Sequence, residues 1–351
     1  MTVRDRPSIG RDRVVGAWDR AGIWVAPVVL VAVVVLSFGI GKYPISLADF
    51  AAAIVGRMTG QPAAIDPTID TVLWQVRLPR VLAGLAVGAA LAAAGATYQG
   101  LFRNPLVSPD ILGVSAGASL GAVLGIFLSL PVLLIQLLAF IGGLAAVALV
   151  YAVGAAIRTR DPILVLVLAG VAVGALLTAC LSLVKVLADP YNQLPAITYW
   201  LLGSLAAVTR GDLASILPAL AIGFVPIILL RWRMNLMTLG DEEARALGVD
   251  TSRLRALFIA GATLITAAAV SITGVIGWIG LLIPHIARML VGPDFGRVLL
   301  ASVMLGGGYL VGIDALARSI AAMETPLGIL TAALGAPFFL YLLATTRKGW
   351  E

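Results

Sequence analysis

Long apolar runs follow one another from residue 21 to residue 343, broken only by short polar links, and this pattern restricts the chain more than any single motif. They occupy residues 21–40, 81–102, 111–128, 130–157, 162–187, 213–230, 257–272, 275–291, 298–317 and 327–343. At 1.5 Å rise per residue, about 20 residues of helix cross the roughly 30 Å hydrocarbon core of a bilayer. Backbone inside that core must satisfy its own hydrogen bonds, which runs of this length do as helices. Hydrophobic residues make up 60% of the 351 and charged residues only 12%, which excludes a soluble globular domain. The expectation is an all-α polytopic membrane protein with about ten transmembrane helices.

An even number of crossings puts both termini on one side, and the basic residues say which. Counted this way, 17 of the 24 lysines and arginines lie on the side of the termini. The remaining seven are Lys42, Arg57, Arg77, Arg80, Lys185, Arg210 and Arg318. Positive charge is retained on the cytoplasmic side, so both termini are expected there. Residues 1–20 then form an arginine-rich cytoplasmic tail, 21–346 one transmembrane domain and 347–351 a cytoplasmic C-terminal tail. The first apolar run exceeds a secretory h-region and lacks a small-x-small cleavage pattern, so it reads as a retained span. Residues 41–76 read as an external loop with a short amphipathic helix at 45–58, residues 188–196 as a loop, and 197–208 as an interfacial or re-entrant piece. The net charge of +6 does not point to nucleic acid, because the arginines are scattered between apolar runs and form no basic face.

One stretch stands apart. Residues 236–256 gather Asp241, Glu242, Glu243, Arg245, Asp250, Arg253 and Arg255 between two apolar runs, and such an island must sit in water. Locally it reads as two helical pieces. Gly240 makes a turn, Asp241 serves as N-cap, and Glu242 and Glu243 occupy a first turn where the helix dipole favours acids. Gly248 suits a left-handed C-cap, and Asp250 caps the helix that follows. The first piece, about 10 Å long, is too short to be stable alone and needs a surface to pack against. Two readings remain open on these grounds: a solvated connecting loop, or a segment that fits another protein.

Little else carries chemistry. No GxxxxGK[ST] phosphate loop is present. No string of intramembrane carboxylates marks a proton- or sodium-coupled carrier; Asp314, Arg318 and Glu324 cluster near one outer end. His285 is the only histidine and has no Cys, Asp or Glu at ligand spacing, which argues against a metal site. Cys180 is the only cysteine, so no intrachain disulfide forms, and it reads as a small buried side chain. Arg77, Arg80 and Arg318 run against the charge bias. They read either as snorkelling anchors, with Asp314 and Arg318 paired one helical turn apart, or as a basic docking patch for an acidic partner.

Several ordered blocks carry a resemblance to a known family: RLPRVLAG from Arg77, GAALAAAGATYQGLFRNPLVSPDILGVSAGAS, WLLGSL, LGDEEARALGV, GVIGWIGLLIPHIAR, the segment from Asp314 to Arg318, and ETPLGILTAALGAPFF. The chain resembles the FecCD-like permease subunit of type II ABC importers, which carry iron chelates and cobalamin. That resemblance implies a non-enzymatic transport permease in a bacterial cytoplasmic (inner) membrane. It implies as partners a second copy of the chain, a dimer of ABC ATPase subunits that bind ATP and Mg, and an extracytoplasmic substrate-binding protein. No cofactor is implied on this chain. Leu239, Gly240, Asp241, Glu242, Glu243, Ala244, Arg245, Leu247 and Gly248 match the coupling helix that fits a groove on the ATPase. Arg77, Arg80 and Arg318 match arginines that pair with glutamates on the binding protein. Asn104 and Leu106 match a cytoplasmic gate, and residues 162–187 line the path between two copies. Glu324 stands in Glu-Thr-Pro where the family has Glu-Leu-Pro. The cargo this resemblance favours is a ferric siderophore, with haem or cobalamin next and a molybdate-type oxyanion as the alternative; an ion-coupled secondary transporter is the competing class.

Overall fold

The computed structural model describes residues 11–60, 65–157, 162–321 and 323–345. The first ten residues, the link with Arg158 and Arg160, and the C-terminal tail 347–351 lie outside the described residues. Among the described residues the chain is helical throughout, with no strand. In order the elements are α1 (Arg11–Gly39), α2 (Leu47–Thr59), α3 (Pro67–Thr71), a π-helical turn (Val72–Arg77), α4 (Leu78–Leu101), a 3-10 turn (Pro109–Leu112), α5 (Val114–Phe127), α6 (Val132–Ala156), α7 (Pro162–Leu187) and α8 (Gln193–Leu201). Then come α9 (Arg210–Leu229), α10 (Arg231–Met237), α11 (Asp241–Ala246), α12 (Thr251–Thr273), α13 (Ile279–Val291), α14 (Phe295–Ile320) and α15 (Leu327–Thr345).

Among the described residues six helical stretches are long and apolar enough to cross a membrane: Pro67–Leu101, Val132–Ala156, Ile163–Leu187, Arg210–Leu229, Thr251–Thr273 and Phe295–Ile320. Trp24–Gly39, Val114–Phe127, Ile279–Val291 and Leu327–Leu342 are apolar but shorter. The expectation of about ten spans is therefore met by length for six.

The bundle is built around α4. Its second half, Ala90 to Leu101, is buried throughout, and α12, α13 and α14 pack on it. Alanine and glycine make this possible, because lipid supplies little hydrophobic drive and helices must gain by close approach. The backbone of Gly88 meets that of Gly306 on α14, and Gly95 meets Gly280 on α13, so any side chain there would collide with a carbonyl. In the most apolar windows of the α4 and α12 stretches 78% of residues are buried, against 22% for α6, α7 and α9. The small-residue runs are thus the inner helices, and the leucine- and valine-rich runs form the outside.

Three expectations need correction. Residues 67–76 belong to helix rather than to an external loop: Asp66 accepts the Thr68 amide at 2.7 Å, Pro67 takes the first helical position, and the π-turn joins this segment to α4. Thr68, Asp70 and Gln75 gave this stretch the polarity of a loop. Helix α8 occupies 193–201, overlapping the expected loop at 188–196; Pro195 sits in its first turn, where a missing amide costs nothing. Cys180 is exposed on α7, because that helix leaves one face uncovered.

Candidate functional site

Charged groups gather at the two ends of the bundle. At one end the π-turn delivers Arg77, α4 delivers Arg80, and α14 delivers Asp314 and Arg318 one helical turn apart. None of these four is more than 7% exposed. Arg80 Nε donates to Asp314 Oδ1 at 2.7 Å, and its fork spans both Glu324 oxygens, at 3.1 and 2.8 Å. Arg318 Nε lies 3.1 Å from Asp314 Oδ2, which bears out the pair read from the i,i+4 spacing. The remaining donors turn to the end of α1. Arg318 reaches the carbonyls of Ile40 at 3.2 Å and Ser37 at 3.3 Å, and Arg77 donates to the carbonyls of Phe38 and Tyr43.

The three arginines therefore do not lie open as a surface patch. They are fastened to two acids and to the carbonyls where α1 ends. Only Glu324, in the loop between α14 and α15, is reachable, with 27% of its side chain exposed. Burial alone would push its carboxyl up, but the hydrogen bonds and charge of Arg80 outweigh that and hold it below the usual glutamate range.

The opposite end contains the charged island. Gly240, at φ +131°, precedes α11, and a side chain there would collide with the Glu243 carboxylate. Asp241 is the first helical residue and not the cap; its carboxylate instead receives Arg255 from α12 at 2.7 and 2.8 Å. Gly248, at φ +80°, ends the helix in a Schellman arrangement: its amide bonds the Arg245 carbonyl at 2.9 Å, and the Val249 amide bonds the Ala244 carbonyl at 3.0 Å. Asp250 caps α12 as expected, accepting the Arg253 amide at 3.1 Å.

Between these fixed ends the helix shows most of its surface to solvent. Ala244 is fully buried, whereas Glu242, Glu243, Arg245 and Gly248 are exposed and Leu239 and Leu247 are 56% and 60% exposed. Two large apolar side chains exposed at either end of a helix of six residues make a surface short of a partner. Beside it lies the break after α4. Arg103, at φ +50°, brings Nη1 to 3.5 Å from where a Cβ of Gly240 would stand. Asn104 Oδ1 accepts the Leu106 amide at 2.9 Å, and both residues are exposed. The expected gate pair is thus one Asx turn, next to the expected coupling segment.

Sequence reasoning missed three participants: Arg255, which holds Asp241; Arg103, beside Gly240; and Glu324 as the second acid on Arg80. Arg255 and Arg103 carry no local signal, being 14 residues from Asp241 and far from Gly240 along the chain. Among the described residues no group of His, Cys, Asp and Glu could hold a metal ion.

A match to the FecCD transport family extends over residues 29–345. The chain is 38% identical to the molybdate import system permease protein of Haemophilus influenzae, over 91% of this chain and 94% of that one. It is 38% identical to the cobalamin import system permease protein of Halobacterium salinarum, covering 93% and 95%. It is 39% identical to an iron(III)-citrate import system permease protein of Bacillus subtilis, covering 92% and 94%. Among solved structures, an inward-facing ABC transporter of metal-chelate type superposes with a TM-score of 0.82 at 37% identity, covering 92% of this chain and 98% of the other.

Proposed function

This chain belongs to the FecCD transport family, and from that premise we propose that it is the membrane-spanning permease of a binding-protein-dependent ABC importer for a metal chelate. All ten apolar helices cross the membrane, both termini lie in the cytoplasm, and two copies form the pathway. ATP and Mg are bound by a separate pair of ATPase subunits; the permease itself catalyses no reaction.

The observation that carries this reading is α11. It is held at both ends, by Asp241 on Arg255 and by the Gly248 turn, yet it leaves Leu239, Leu247 and its acids exposed. Such a helix transmits force instead of absorbing it. Closure of the ATPases on ATP moves α11 as a unit, and the adjacent break at Asn104 and Leu106 opens or closes. Only a difference in contacts between the two states can drive that shift. The exposed face of α7, with Leu168, Val171, Leu176 and Leu183, suits the wall of a pathway shared with the second copy.

At the outer end an extracytoplasmic binding protein docks around Arg77, Arg80 and Arg318. Because Glu324 covers Arg80, an acidic group on that partner gains its contact by competing with Glu324.

The cargo is a ferric siderophore. Relatives named for cobalamin and iron(III) citrate support a bulky chelate; the molybdate relative keeps an oxyanion as the second reading. Proteoliposomes containing this chain, its co-purifying ATPase and its binding protein, offered radio-iron as ferric siderophore with and without internal ATP, test both levels. ATP-dependent uptake is the expected result. ATP hydrolysis without iron uptake overturns the cargo and leaves the class. Absence of a co-purifying ATPase overturns the class and favours an ion-coupled carrier.

A further inference from the structure

Three buried polar side chains follow one another near the end of α4, and each takes a different partner. Thr97 Oγ1 returns to its own helix at the Ala93 carbonyl, Tyr98 meets Thr263 on α12 at 3.0 Å, and Gln99 reaches α13. Gln99 is 2% exposed. An amide taken so far from water needs a partner for both its donor and its acceptor end.

Pro284 stands inside α13. A proline has no amide to give, so the Gly280 carbonyl one turn earlier lacks its helical donor. Gln99 Nε2 fills that gap, donating to the Leu281 carbonyl at 3.0 Å and reaching the Gly280 carbonyl at 3.4 Å. Beyond the proline, Arg288 places Nη1 and Nη2 each 3.3 Å from Gln99 Oε1. One side chain of α4 thus holds α13 on both sides of its proline turn. The same pair of helices also fixes both ends of the break after α4. At the near end the Asn104 amide donates to the Gln99 carbonyl at 3.2 Å. At the far end Pro109 lies against Gly280, where a Cβ would stand 2.9 Å from Pro109 Cδ. The break is strung between Gln99 and Gly280, which are themselves joined.

We propose that Gln99 is a positioning residue for this break: it ties Asn104 and Leu106 to the proline turn of α13, so that the break moves with α13. On the gate reading given above, on which the consequence for transport rests, α13 is then the helix that sets the opening. Satisfying the freed carbonyl does not by itself require a glutamine. An alanine at 284 would return an amide to α13 and leave position 99 free to be apolar, but the two helices would no longer be joined.

That difference supplies the test, a distance measurement by double electron–electron resonance on the full chain in nanodiscs. Spin labels are placed at Leu106→Cys and Met289→Cys, positions 48% and 66% exposed, in a Cys180→Ser background and diluted with unlabelled chain. One narrow distance is expected in this parent. Gln99→Leu is expected to raise the share of other distances about five-fold, the change that one net hydrogen bond supports, and to lower the unfolding temperature. In Q99L/P284A the helix regains its amide, so the unfolding temperature is expected to recover while the distances stay spread. A narrow distribution in Q99L would overturn the tie. Narrowing in Q99L/P284A would overturn it as well, because Gln99 would then serve only to satisfy the carbonyl. Uptake per ATP by Q99L in proteoliposomes is expected to fall; spread distances with undiminished uptake would sustain the tie and overturn the gate reading.

Discussion

The two ends of the bundle use the same residue types to opposite effect. At the end proposed to face outward, the outer end, Arg80, Asp314 and Arg318 have side chains no more than 8% exposed and satisfy one another across α4 and α14. At the inner end the side chains of Arg245 and Arg253 are 60% and 87% exposed, and their contacts reach no farther than six residues along the chain. Charge removed from water must be paired to be tolerated, and once paired it fixes the elements that carry it. Charge left in water costs little and stays available to a partner. The outer cluster accordingly fastens α1, α4 and α14 together, whereas the inner island is fixed by one buried link, Arg255 to Asp241, and otherwise faces outward.

Breaking the outer pairings should have the largest effect. Asp314→Ala leaves Arg80 and Arg318 without their shared acid, and a loss of about 3–5 kcal/mol is expected, read as thermal unfolding in detergent. For the same reason, charge reversal at Arg77, Arg80 and Arg318 together is expected to unfold the outer end as well as abolish docking, so it cannot separate the two roles. Next in size is Gly248→Ala at the inner end. It forces an alanine into the left-handed region at a cost of about 1–2 kcal/mol, with ATP hydrolysis retained and uptake per ATP reduced in proteoliposomes.

Glu324→Gln sharpens the comparison at the outer rim. Since this carboxyl is partly exposed, a loss of about 1 kcal/mol or less is expected at neutral pH. Its pKa is lowered in the folded chain, so its contribution is present above the ordinary glutamate value of about 4.3 and fades as pH falls through the lower folded value. Unfolding curves of the wild type and E324Q should therefore converge on acidification below about pH 4. The same variant uncovers Arg80 and is expected to tighten docking of the binding protein, measured by surface plasmon resonance at low salt. Weaker docking would show that Glu324 itself makes the contact.

The smallest expected change in stability is the most informative for function. Replacing Glu242, Glu243 and Arg245 with alanine should move stability by no more than about 0.5 kcal/mol while uncoupling ATP hydrolysis from uptake. Normal uptake per ATP in that variant would place coupling elsewhere in the chain.

Much of the fold was legible beforehand because hydrocarbon is an unforgiving solvent. The run at 162–187 coincides with α7, 130–157 differs from α6 by two residues at one end and one at the other, and the amphipathic piece at 45–58 lies within two residues of α2. The turn residues at Gly248 and Asp250 were equally readable, since each acts on backbone within a few positions. Asp241 was misread as a cap because its partner, Arg255, belongs to another helix. For the arginines the sequence left two readings open, membrane anchors with Asp314 and Arg318 paired or a docking patch, and it did not show their burial: Arg80 and Asp314 lie 234 positions apart, and nothing in either neighbourhood shows that they meet.

By itself, then, the sequence determined what depends on local composition: where most of the long helices lie, which runs are apolar, and where the charged island interrupts them. Tertiary structure alone decided which of those helices are central, which charges are buried or free to meet a partner, and that Gln99 of α4 meets the proline turn of α13. The physical reason is range. Helix formation and partition into lipid are settled within about 20 residues, whereas burial and ion pairing depend on what a remote segment brings to the same place.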